Sequence, residues 1–124
     1  MATEVLQYVV DGAIATIVHD DDRANTLRAD VFEAYFEFLD RAEADPAVGA
    51  AVLRARDNFF SAGMDLDWMK TIDRDALGTI GPDMARLAHR LFIFPKPVIA
   101  AVTGHAIAGG AGIVVACERS IGVE

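Results

Sequence analysis

The chain predicts an α/β fold on a parallel sheet, and three observations carry that prediction. Two runs rich in β-branched residues, 4–10 (EVLQYVV) and 13–18 (AIATIV), precede a helical stripe. An apolar run at 50–55 (AAVLRA) follows that helix, and strand, helix, strand in succession marks a parallel unit with a crossover. A second apolar run, 98–102 (VIAAV), feeds directly into the glycine-rich segment 104–112 (GHAIAGGAG).

The elements follow in order. Asp11-Gly12 between the first two runs predicts a hairpin turn. Val31, Phe32, Tyr35, Phe36, Leu39 and Ala42 recur at helical spacing, with Asp30 and Glu33 in the first turn where the macrodipole favours them, so a helix is expected over about 29–44. The chain turns at Asp45-Pro46 and enters 50–55. Residues 56–63 (RDNFFSAG) read as a loop and 65–70 as a short helix. Leu77, Ile80, Met84, Leu87, Ala88 and Leu91 share one face of a long second helix, which Pro95 and Pro97 end. The all-apolar 98–102 is expected to be covered on both faces, and 113–117 (IVVAC) to form a helix packed close to it. A further strand is expected to begin at Ile121-Gly122-Val123-Glu124.

A chain of 124 residues, 53% hydrophobic and 24% charged, has room for one ordinary globular domain. A net charge of −8 repels nucleic acid and anionic membranes, so neither is expected as a partner. The single cysteine, Cys117, makes no intrachain disulfide and reads as a small buried hydrophobe, which fits a reducing compartment. With no signal-peptide pattern and no bilayer-length apolar run, a cytoplasmic protein is expected.

The segments Phe60-Ser61-Ala62-Gly63-Met64-Asp65-Leu66 and Gly104 through Gly112 each follow a strand and precede a helix, where backbone N–H groups stabilise negative charge. Nucleotide loops fail on specific residues. A Walker A loop from Gly104 needs lysine where Gly110 stands, and a dinucleotide fingerprint from Gly110 needs a small residue where Val115 stands.

Taken together, the two segments, with Phe94-Pro95-Lys96-Pro97-Val98-Ile99-Ala100-Ala101-Val102 before the second, resemble the crotonase (enoyl-CoA hydratase/isomerase) superfamily. The resemblance covers nearly the whole chain, beginning with the hairpin and Arg23-Ala24-Asn25-Thr26-Leu27 and continuing to Ala116-Cys117-Glu118-Arg119. It implies a ββα spiral of stacked parallel strands with outer helices, of which residues 1–124 would be the N-terminal part of a single domain, its C-terminal part missing. It further implies an acyl-CoA or enoyl-CoA substrate, with CoA part of the substrate, no separate cofactor and no metal, and a homo-oligomeric (trimeric or hexameric) parent.

By motif position the resemblance puts the thioester carbonyl between the backbone N–H groups of Met64 and Gly109, and Ala62, Gly63, Asp65 and Leu66 along the CoA adenine and pantetheine. Arg23 could reach a CoA phosphate. The departure is at 112, where hydratases of the family place the first of two catalytic glutamates and this chain has Gly112. The activity expected of the parent protein is therefore double-bond isomerisation through an enolate, which needs one carboxylate, a glutamate that the resemblance puts about twenty residues beyond position 112 and so past Glu124, with a non-catalytic acyl-CoA-binding role or an inactive fragment as the alternative. Glu118, Glu124 and His105 are not expected to be catalytic, and Trp68 and Met69 read as packing, with the lining of an acyl pocket as the alternative.

Overall fold

In the computed structural model, residues 5–123 are described; Glu4 of the predicted opening strand and the acid Glu124 lie outside them. The elements are β1 (Leu6–Asp11), β2 (Ile14–His19), β3 (Thr26–Leu27), α1 (Ala29–Ala44), β4 (Ala50–Ala55), β5 (Phe59–Ser61), β6 (Gly63–Met64), α2 (Leu66–Met69), α3 (Arg74–Leu77), α4 (Ile80–Phe92), β7 (Val98–Val102), β8 (His105–Ala106), α5 (Gly109–Ala116) and β9 (Arg119–Gly122). A five-stranded sheet runs in the order β1-β2-β4-β7-β9, antiparallel only between β1 and β2. Two small parallel pairs, β3 with β6 and β5 with β8, stand beside it. Strand, short strand and helix recur as β2-β3-α1, as β4-β5-β6 leading to α2, and as β7-β8-α5, which is the ββα spiral expected from the sequence.

The period-2 pattern explains the register. Ala15, Ile17 and His19 of β2 and Ala51, Leu53 and Ala55 of β4 point into the core, as do Val98 and Ala100 of β7. Helix α1 covers that face with Val31, Phe32, Tyr35, Phe38 and Leu39, each side chain contributing on the order of 1.5–3 kcal/mol by leaving water. Lys96 fixes the far end of α1, its Nζ donating to the carbonyls of Ala42 (2.7 Å) and Asp45 (2.8 Å), where a cation also complements the helix dipole.

Some expectations change. The hairpin loop is Gly12-Ala13, because Asp11 pairs with Ile14, and Gly12 supplies the positive φ of 59°. Residues 56–63 contain β5 and the start of β6; Phe59 and Phe60 belong to strands although their neighbours are polar. The long second helix is two helices, since Gly78 and Thr79 interrupt it and Asp73 caps α3 by accepting from Ala76 N at 2.8 Å. Strand β7 is deeply buried only through Val98 and Ala100; Ile99, Ala101 and Val102 are half-buried, so its second face is not fully covered. Beyond α5, β9 lies wholly exposed at the sheet edge. No helix among the described residues is long and apolar enough to cross a membrane.

Candidate active site

The two segments singled out in the sequence meet. Gly63 has φ +88°, a conformation open mainly to glycine. A Cβ there would stand 2.9 Å from the Ile107 carbonyl oxygen, 3.1 Å from the Gly109 nitrogen and 3.2 Å from the Ala108 Cβ. Ile107 N donates to Ser61 O (2.9 Å), and Ser61 Oγ accepts from Gly63 N (3.1 Å), so one buried serine ties both loops together.

Gly109 is the first residue of α5, and no acceptor for its N–H occurs among the described residues. The next donors are engaged: Gly110 N reaches Ile107 O (2.9 Å) and Gly112 N reaches Ala108 O (3.0 Å). Ala108, at φ 52° and ψ −116°, makes the sharp bend that aims the helix start at β6. On the other loop, Asp65 N donates to Leu27 O at 2.9 Å. Alternate N–H groups of an extended strand face opposite ways, so the Met64 N–H faces away from β3.

Side chains hold this backbone in place. Asp65 Oδ1 accepts from Trp68 N (2.9 Å), capping α2, and Oδ2 accepts from Thr26 Oγ1 (3.0 Å). Asn25, fully buried at φ 53°, donates from Nδ2 to the carbonyls of His19 (2.8 Å), Phe59 (3.0 Å) and Phe60 (3.3 Å). Burial alone would raise the Asp21 carboxyl, but N–H donation from Asn25, Arg23 and Thr26 holds it below its ordinary value.

A cavity of about 370 Å³ opens beside this segment, lined by Arg23, Thr26, Arg28, Asp21, Asp65 and Asp67 among others. Arg28 is tied to Asp30 at 2.8 Å. The Arg23 guanidinium has no partner among the described residues, so one cation at the cavity is free to meet an anion.

The remaining candidates fall elsewhere. Ala62 is half-buried, its N–H on Ala24 O (2.9 Å), and Leu66 is 67% exposed at the start of α2. His105 is exposed, its ring 5.4 Å from that of Phe59. Glu118 is exposed past the far end of α5 from Gly109. Burial pushes the Cys117 thiol up to about 12, and its Sγ donates to Ile113 O, so it is no nucleophile. Trp68 and Met69 are half-buried in α2. No grouping of three or more His, Cys, Asp or Glu fit to hold a metal occurs among the described residues.

Sequence reasoning missed Ser61, Ala108 and the clamp made by Asn25. A buried asparagine leaves no periodic signal, and an alanine at positive φ cannot be read from its neighbours. The Ser-Ala-Gly spacing before Met64 was the available hint for Ser61.

A ββα repeat whose second and third units bring a glycine-hinged strand against a helix N-terminus defines the crotonase class. The chain belongs to the enoyl-CoA hydratase/isomerase family, whose model matches residues 10–122. A Thermus thermophilus protein provisionally named an enoyl-CoA hydratase is 39% identical over 116 residues, covering 89% of this chain and 45% of that one. The 4-chlorobenzoyl coenzyme A dehalogenase-2 of an Arthrobacter species is 30% identical, with 90% and 42% covered. A solved structure from Mycobacterium tuberculosis H37Rv, described as a probable enoyl-CoA hydratase, superposes with a TM-score of 0.87 at 32% identity over 94% of this chain and 49% of that one. The chain thus spans about half the length of the relatives it matches.

Proposed function

We propose that this chain carries the thioester-gripping part of an acyl-CoA enzyme that stabilises an enolate and shifts a double bond rather than adding water. The observation that carries the reading is the apposition of Gly63 and the Gly109 nitrogen, with the Gly109 N–H unengaged among the described residues. Met64 and Gly109 supply main-chain donors to the thioester oxygen; one such preorganised donor is worth about 2.7–4 kcal/mol where charge develops. Ala62, Gly63, Asp65 and Leu66 run along the CoA, and Arg23 meets a phosphate at the neighbouring cavity.

The preference for isomerisation rests on Gly112. It has no carboxylate, and a Cβ there would meet only the Met84 Cε within 4 Å outside its own surroundings. Hydration needs two groups to polarise water, whereas isomerisation needs one base that revisits its proton at a second carbon. Lack of an acid at 112 equally favours a second reading, a non-catalytic acyl-CoA-binding role. Titrating ¹⁵N-labelled protein with butyryl-CoA tests the shared claim. The Met64 and Gly109 amide resonances should move together, and binding that leaves both unmoved contradicts it. In a protein that carries this chain together with a glutamate base, comparing 3-enoyl-CoA isomerisation with crotonyl-CoA hydration separates the two readings, and Gly112→Glu should raise hydration relative to isomerisation.

A further inference from the structure

Two glycines at the start of α5 face one side chain. A Cβ on Gly109 would stand 3.3 Å from the Met84 Sδ and 3.2 Å from the Leu27 Cδ1, and a Cβ on Gly112 would stand 3.4 Å from the Met84 Cε. Residues three apart share a helix face. The half-buried Met84 reaches that face from the first half of α4 and lies along it. Its thioether occupies the flank where a residue-112 side chain would begin.

We infer that Met84 is a specificity-determining residue which makes the acyl end of the site select an unsubstituted acyl chain over one bearing a β-hydroxyl. The inference rests on the acyl-CoA reading above. A thioester oxygen within hydrogen-bond reach of the Gly109 N–H leaves its α and β carbons one and two bonds beyond the carbonyl carbon, within reach of the Met84 thioether. That group donates no hydrogen bond and accepts only weakly. A hydroxyl brought there surrenders its bonds to water and gains no equivalent, whereas a methylene packs against sulfur and methyl without loss. Gly112 adds no polar atom to this flank.

The test is calorimetric titration of the 124-residue chain with butyryl-CoA and with 3-hydroxybutyryl-CoA, repeated on Met84→Leu and Met84→Gln. Wild type and Met84→Leu should prefer butyryl-CoA by about 10–100-fold, the range in which apolar pockets discriminate an added hydroxyl. Met84→Gln, which places an amide at the same reach, should shrink that ratio to near unity while both ligands still bind. Gly112→Gln brings an amide to the same spot from the opposite side, so it must shrink the ratio too, and it serves should Met84→Gln fail to fold. An undiminished ratio in the polar variants that fold overturns the role of Met84 and leaves the acyl-CoA reading intact. A wild-type chain that binds neither thioester overturns that reading, and this inference with it.

Discussion

Gly63 packs its α-carbon against the start of α5 so closely that a methyl group there would stand 3.1 Å from the Gly109 nitrogen and 2.9 Å from the Ile107 carbonyl oxygen. Gly63→Ala therefore suffers twice, from a positive φ of 88° and from a backbone atom that cannot swing aside. We predict a loss of at least about 1–3 kcal/mol in denaturant unfolding from the backbone conformation alone, together with weaker acyl-CoA binding. Wild-type stability in this variant would show that the two loops do not meet as described.

Ala108 stores strain next to the Gly109 donor. At φ 52° and ψ −116° it holds a conformation that costs a residue with a Cβ about 1–3 kcal/mol. Ala108→Gly relieves that strain but enlarges the freedom of the unfolded chain, a partial offset of about 0.4–1 kcal/mol. The expected net result is a gain of roughly 1 kcal/mol in unfolding free energy. Measured destabilisation would mean that the bend is not strained.

His19 predicts a pH dependence of folding. It is 1% exposed in the core, its ring edge-on to Tyr35 at 5.9 Å, and neither ring nitrogen has a hydrogen-bond partner among the described residues. Burial pulls its pKa from 6.5 down to about 4, against the opposite pull of Asp21, Asp20 and Asp30, with Arg28 adding to the lowering. The unfolded chain binds the extra proton first, so stability falls as the pH drops from about 6.5 to about 4 and the His19 contribution is level below that. A shift of this size corresponds to roughly 3 kcal/mol. Unfolding curves across that window should show the slope, and His19→Phe should flatten it; an unchanged slope in the variant would assign it to other groups.

The sequence made the fold readable where periodicity is long and one face is buried. The stripe from Val31 to Ala42 predicted α1 at 29–44, the span it occupies, because core packing and helix spacing select the same residues. It also showed the two loops of the site, since glycines beside a strand end leave a visible pattern. What it did not show depends on contacts between distant segments. Phe59 and Phe60 become strand by pairing with residues near His105 and by the reach of Asn25 across 34 and 35 positions, which no local window contains. The break between α3 and α4 was hidden because the apolar spacing from Leu77 to Leu91 continues across it, while the cap at Asp73 and the turn at Gly78 decide the backbone.

The central claim, that the Met64 and Gly109 amides together polarise one thioester oxygen, is tested most directly by difference infrared spectroscopy of butyryl-CoA ¹³C-labelled at the thioester carbonyl. Two aligned donors weaken the C=O bond, so the bound carbonyl stretch should fall below its frequency in water. Met64→Pro deletes one donor at an N–H that faces away from β3, and with folding and binding verified it should return part of that shift. A carbonyl that binds with its stretch at the aqueous frequency, or a shift that Met64→Pro leaves whole, would contradict the account.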